Sequence, residues 1–274
     1  MIKDTFFSLP RFMNLCRKEM VESWKSNVLR LVLLYGLMAV VMVWNGAYTY
    51  RVEYHFSEDP TWMFLLIVFI WALWIFGCLS ASFTMEKMKS KTSRTSILMT
   101  PATPFEKFFS RWMVFTVVFL VVYLLSYKLA DYTRVYVFSL IYPEKDYIAP
   151  VDLSHVVGKN PDYYTLFRTP LQFLTVIASY FFGQSLFVLG SSIWPKNAFL
   201  KTFSAIAIIA TVYFSVAAFL GKLLFKHKNV SYIGGSISDE TFLWLSIATF
   251  TFFALLNWTL AYFRFKESEI INRM

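Results

Sequence analysis

Three histidines are the first residues to test for chemistry. His55 has Glu53, Glu58 and Asp59 nearby, and His155 follows Asp152 by three residues, which gathers nitrogen and oxygen ligands of the kind a zinc ion takes. Neither group has a recognised ligand spacing, and these two, like His227, are expected in loops, where exposed histidines are ordinary. A serine nucleophile needs a sharp Gly-x-Ser-x-Gly turn and a base; Gly190-Ser191-Ser192 has no base near it. No Gly-x-x-x-x-Gly-Lys-Ser/Thr loop is present to cradle nucleotide phosphates. The chain is therefore expected to hold no cofactor and no metal and to catalyse nothing by itself. The sequon Asn229-Val230-Ser231 matters only in a eukaryotic secretory pathway, which nothing in the residues indicates.

The stretch with the densest polar chemistry is Thr84 to Arg111. Lys87, Lys89, Lys91, Arg94, Lys107 and Arg111 stand there against Glu86 and Glu106 alone. It also carries a short apolar cluster, Ile97-Leu98-Met99, which stops at Thr100 because a residue before proline is disfavoured in the helical region. A polar loop with an apolar knob suits docking. The plainer alternative is that its cations only fix topology and touch anionic headgroups.

The surrounding composition says what positions that loop. The 274 residues are 57% hydrophobic and 16% charged, where soluble domains carry about a quarter charged residues. The net charge of +9 has no soluble domain on which to form a nucleic-acid face, so no nucleic-acid partner is expected. Cys16 and Cys78 imply no disulfide framework.

Six apolar runs, about 28–50, 61–83, 112–127, 171–194, 203–220 and 241–263, each approach the roughly 20 residues a helix needs to span hydrocarbon. The expected fold is an all-α polytopic membrane protein with six transmembrane helices. The first run is too long for the core of a cleavable signal and is expected to be retained. Ahead of it, Phe12, Leu15, Cys16, Met20 and Trp24 recur at spacings of three and four beside Arg11, Arg17, Lys18 and Lys25. That stripe predicts an interfacial helix within residues 1–27. Helix starts are expected at Asp59-Pro60, at Thr103-Pro104-Phe105-Glu106 and at Thr169-Pro170-Leu171-Gln172, and Asn197 is a candidate cap for the fifth span. Domain bounds follow: the interfacial helix, a six-helix unit over 28–263 with loops at 84–111 and 128–169, and a tail over 264–274.

Segments 1–30, 84–111, 195–201 and 264–274 hold 17 of the 26 basic residues and 7 of the 17 acids. Cations concentrate on the cytoplasmic side, so both termini are expected there. Lys222, Lys226 and Lys228 are the one contrary group. Counted this way every charge falls in a loop, and Asn45, Gln184 and Asn257 are the larger polar groups left inside spans. An ion-coupled cycle would need buried ionisable groups at mid-membrane. Outer loop 128–169 is long enough for a short helix and an extended piece, and Gly234-Gly235 marks a turn in the loop after the fifth span.

These features together resemble the membrane subunits of ABC-2 type ABC transporters. The likeness rests on six spans with both ends inside, a surface-lying N-terminal helix and the basic loop. Within it, Met85-Glu86-Lys87, then Thr95-Ser96-Ile97-Leu98-Met99-Thr100-Pro101, then Phe105-Glu106-Lys107 and Arg111 match the family's run, and Tyr262-Phe263-Arg264-Phe265-Lys266-Glu267 matches its C-terminal end. A glycine frequent midway through the loop is replaced by Ser93-Arg94, and the outer loop is longer than in that family. The resemblance implies a coupling helix near Glu86 to Leu98 that docks on a separate ATP-binding subunit through Glu86, Lys87, Lys91, Arg94, Ile97, Leu98 and Met99. The helix carrying Phe12, Leu15, Met20 and Trp24 would be a second contact. It further implies ATP and Mg on that subunit, a second permease subunit, identical or related, that encloses with this chain a pathway between spans two and five, and a bacterial inner membrane. The expected function is the permease of an ATP-driven exporter for an amphipathic or lipid-like substrate. The alternatives are a non-transporting membrane scaffold or assembly factor using the same loop, and a membrane enzyme using the outer histidines and acids.

Overall fold

A computed structural model describes residues 6–51, 59–152, 155–158, 165–224 and 238–271. Its helices in chain order are α1 Leu9–Glu22, α2 Trp24–Thr49, α3 Trp62–Ser82, α4 Lys91–Leu98, α5 Pro104–Met113, α6 Phe119–Ile141, α7 Pro170–Ile193, α8 Ala198–Leu224 and α9 Asp239–Ile271. A π-helical turn, Val114–Val118, joins α5 to α6, so Pro104–Ile141 is one continuous rod. The described residues contain no strand beyond an isolated bridge between Val157 and Phe167. Six helices are long and apolar enough to cross a membrane: α2, α3, the α5–α6 rod, α7, α8 and α9. The chain is an all-helical protein with the character of an integral membrane protein. His55, His227, Asn229, Lys226, Lys228 and Gly234-Gly235 lie outside the described residues.

Local chemistry sets most helix starts. Thr103 accepts from the Glu106 amide while Glu106 accepts from the Thr103 amide, a complete capping box ahead of Pro104. Thr169 caps α7 by accepting from Gln172, whose own side chain turns to Arg168 N–H instead. Asn197 precedes α8 with φ 58°, a left-handed conformation that asparagine tolerates, and its carbonyl accepts from Lys201. Asp59-Pro60 departs from expectation. The helix starts at Trp62, and the Asp59 carboxylate takes the Thr61 N–H and hydroxyl as part of a larger cluster.

α3 runs antiparallel to the α5–α6 rod. Tyr127 and Tyr123 donate to the carbonyls of Leu65 and Phe69 at 3.1 and 2.6 Å, and Ser80 donates to that of Phe115 at 2.9 Å. α3 meets α7 through two notches. A Cβ on Gly77 would lie 2.5 Å from the Tyr180 hydroxyl, and one on Gly183 2.5 Å from the Trp74 ring, so each helix receives an aromatic of the other in a glycine gap. Asn257 of α9 donates to Ser185 of α7 at 3.0 Å, the interhelical use expected for a polar group in a span. Packing continues from α2 on α6, through α3, to α7 with α8 and α9.

The third span corrects two expectations. Helix continues from Tyr127 to Ile141, so the first part of the 128–169 segment is helical and the connection proper is 142–169. Lys128, Asp131 and Arg134 accordingly lie on a spanning helix and not in a loop. Asp131 and Arg134 are fully buried. Arg134 bonds Asp59 at 2.7 Å, Asp131 at 2.8 Å and the Ala149 carbonyl at 2.7 Å, and it also meets the Tyr50 hydroxyl. Tyr50 donates to Asp59 at 2.7 Å, and Asp131 accepts from the Val151 amide at 2.8 Å. Hydropathy places the end of the span at Lys128 because it counts each charge as if it met the solvent alone. Mutual neutralisation lets the helix carry them inside the protein. The cluster sits one turn beyond the Tyr127–Leu65 contact, at the end of the bundle away from the basic loop.

Arg134→Met would leave two buried carboxylates without their counter-ion. Removing one partner of a buried ion pair costs about 3–5 kcal/mol, and a loss of that size is expected in denaturant unfolding of the purified protein. A loss below about 1 kcal/mol, the range of exposed pairs, would show that the cluster does not hold this end together.

Candidate functional site

The basic loop between α3 and α5 folds as two short helical pieces. Glu86–Lys89 makes one 3-10 turn, and Ser90, whose hydroxyl accepts from the Ser93 amide, caps α4. Ser93 and Arg94 stand where the resembled family often has glycine, and here they tie the pieces together. The Ser93 hydroxyl donates to the Lys87 carbonyl at 2.6 Å and Arg94 Nη2 to the Met88 carbonyl at 2.9 Å. The expected single helix over Glu86 to Leu98 is thus a folded-back pair.

The apolar knob divides. Ile97 is buried with Met85, Met88, Phe108 and Phe265, Leu98 is half-buried, and Met99 is 79% exposed. An eight-residue helix one turn above a protein core can present only one side to solvent, and on α4 that side carries Lys91, Thr95 and Ser96. Glu86 pairs with Arg30 at 2.7 Å, and Lys87 reaches Glu19 at 2.7 Å and Glu22 at 3.1 Å.

The N-terminal stripe divides as well. Phe12 and Leu15 are buried, Phe12 against Phe109 of α5 with centroids 5.3 Å apart. Met20 and Trp24 are exposed, and Trp24 opens α2 after a break at Ser23, so it is not part of α1. Along α5, Phe105, Phe109 and Trp112 stack at 5.5 and 5.6 Å, and Trp112 meets Trp258 of α9 edge-on at 5.1 Å. This ladder seats α1 on the rod and the rod on α9.

Two acids missed as site residues from sequence organise this end. Glu106 is fully buried and accepts from Arg11 at 2.6 and 2.8 Å, from the Ser8 amide at 2.7 Å and from the Thr103 amide at 3.2 Å. It therefore completes the cap of α5 and also fixes the start of α1. Glu19 accepts from Lys87 and, at 3.3 Å, from Arg111, joining α1 to both the loop and the rod. The capping-box pattern flags Glu106, but no local signal names Arg11 or Glu19, whose partners are 95 and 92 residues distant. Burial pushes the Glu19 carboxyl up, yet Arg111 and Lys87 beside it prevail and hold it below the ordinary carboxylate value. Burial and Glu19 push the Cys16 thiol up, which favours its protonated form.

At the opposite end His155 stacks on Trp62 with centroids 4.5 Å apart. No group of three or more His, Cys, Asp or Glu able to hold a metal occurs among the described residues. The basic end is a surface piece tied by ion pairs and a shared core to α1, α5 and α9. No protein-family model, curated protein or solved structure matches this chain.

The lowered Glu19 value gives the ties of α1 to Lys87 and Arg111 a definite pH dependence. A carboxylate whose folded pKa is depressed contributes stability above its unfolded value, near 4.5, and that contribution is lost as pH falls through the folded value. Taken relative to the intrinsic rate at each pH, hydrogen exchange at the last turn of α1 is expected to stay slow from neutral pH to about 4.5 and to speed up below it. Glu19→Gln is expected to speed it already at neutral pH, with little further change on acidification. A pH response of that turn equal in both proteins would remove Glu19 from this role.

Proposed function

We propose that this chain is the permease subunit of an ATP-driven exporter of the ABC-2 type. The observation carrying the proposal is the build of the basic loop, which has its polar face and Met99 outward and its other face fused to the spans. Ile97 packs in the same cluster as Phe108, and Lys107 Nζ of α5 holds the Leu98 carbonyl at 3.1 Å. A push on α4 therefore reaches the third span directly, and reaches α1 through Lys87 and Glu19. The π-helical turn at Val114–Val118, just inside the rod, is where a helix bends most readily.

With no nucleotide loop of its own, the chain takes its energy from a separate subunit that binds ATP and Mg. The basic loop and both termini lie in the cytoplasm, as the distribution of cations favours, and the membrane is the inner membrane of a bacterium. From Ala207 to Leu220 every side chain of α8 is exposed, which leaves that part of the helix to a second permease half and to lipid. The substrate is amphipathic or lipid-like, since the outer surface of the spans is largely aromatic and aliphatic and the charges of the third span at Asp131 and Arg134 are buried and paired.

Affinity purification from native membranes tests this reading. Met99→Asp with Lys91→Glu changes only exposed side chains, whereas Ile97→Asp would break the core beneath. An ATP-binding subunit is expected with the unaltered chain, and at least tenfold less of it with the double variant. If no nucleotide-binding protein accompanies the unaltered chain while other membrane complexes survive the same extraction, the chain has no energy source and acts as a scaffold.

A further inference from the structure

Beneath Arg111 the loop leaves a cavity of about 290 Å³ between the α1–α2 junction, the 3-10 turn and the start of α4. Four cations line it, Arg30, Lys87, Lys89 and Arg111, against two carboxylates, Glu19 and Glu86. Two of these cations are loosely engaged. Lys89 stands 4.0 Å from Glu86, and Arg111, only 2% exposed, holds Glu19 at 3.3 Å and the Thr84 carbonyl at 3.5 Å. Charge-assisted bonds are normally about 2.7–2.9 Å, so a buried guanidinium here keeps capacity for a closer anion. Ser90, the cap of α4, lines the same wall and brings the positive end of that helix to it.

The remaining walls distinguish a lipid from a dissolved ion. Phe83 and Phe115 line the cavity, and the Arg30 guanidinium lies over the first at 4.2 Å and the second at 5.7 Å. Phe83 follows the last residue of α3, and Phe115 bonds back to Ser80, so these rings mark the edge of the membrane-spanning layer. On α2 exposed apolar side chains stand at Trp24 and then at Val28 and Leu29, within one turn of Arg30. The net positive cavity thus sits at headgroup depth, with hydrocarbon-compatible surface starting beside it.

We infer that this cavity is a binding site for an anionic phospholipid, with the headgroup phosphate held by Arg111 and Lys89 and the acyl chains lying along α2. A lipid so placed would bridge α1, the loop and the third span. The inference needs no particular docking partner and stands or falls apart from the permease reading.

Native mass spectrometry of the purified full chain tests it, with phosphatidylglycerol and phosphatidylcholine of identical acyl chains as probes. One tightly held phosphatidylglycerol is expected, with phosphatidylcholine held far less. Each basic residue near a membrane surface contributes on the order of fivefold in affinity, so Lys89→Gln and Arg30→Gln should each weaken that one adduct about fivefold. Lys25→Gln, an exposed cation on the same surface but outside the cavity, should leave it unchanged. Arg111→Gln should remove it; if that variant fails to fold, the exposed Lys89 still decides between the outcomes. Equal weakening by Lys25→Gln and Lys89→Gln would reduce the effect to general surface charge and overturn the site. Equal retention of phosphatidylcholine, or displacement by millimolar inorganic phosphate, would overturn the lipid assignment.

Discussion

A carboxylate with no exposure to water must be met by donors from every side, and Glu106 shows what that requirement does to a chain. Its two oxygens take four N–H bonds, from Arg11, Ser8 and Thr103. Removing a carboxylate from water costs several kcal/mol unless such partners are in place, so the start of α1, the cap of α5 and the end of the basic loop are all fixed together. Phe12 on Phe109 then follows, because with Arg11 anchored the next residue of α1 has one face of α5 to lie on.

The same rule operates at the other end of the rod. Arg134 stands between Asp59 and Asp131, and with Ala149 held by Arg134 and Val151 by Asp131 the cluster draws the connection after α6 onto the ends of α2 and α3. At about 1.5 Å per residue, the 38 residues of Pro104–Ile141 span roughly 57 Å, nearly twice the hydrocarbon thickness. One helix thus connects two ionic clusters across an apolar middle. Neither cluster would hold without the other elements that its charges recruit, and the middle gains its register from tyrosine hydroxyls on α3 carbonyls.

Much of the architecture was legible because its causes are local. Apolar length marks the six spans, and threonine-proline pairs mark the starts of α5 and α7. What escaped was whatever depended on distant partners. Asp131 and Arg134 look like loop residues until Asp59, 75 residues before Arg134, is placed beside them. Asp59 itself looks like a helix cap until Arg134 competes for its oxygens. The stripe Phe12, Leu15, Cys16, Met20 and Trp24 has helical spacing throughout, yet spacing does not reveal the break at Ser23 or that α5 covers only the first half. Ile97, Leu98 and Met99 form one apolar knob in sequence, but a helix turns consecutive residues about 100° apart, so a core on one side must divide them.

That division also bears on how force would pass. A docking helix held only by its flanking loops would swing when pushed and waste the motion. Here the inward face of α4 belongs to the same cluster as α5 and α9, and its preceding turn is fastened to α1, so displacement must be taken up elsewhere. The softest place within reach is the π-helical turn after α5, where the backbone bonds are already wider than in an α-helix. Beyond it the rod is held again, by Tyr123 and Tyr127 on α3 and by the Arg134 cluster. A movement begun at the basic end would therefore tilt α5 with α1 and the loop, straining their ties to α2 at Arg30–Glu86 and to α3 at Ser80–Phe115, against an upper rod held by Tyr123, Tyr127 and the Arg134 cluster.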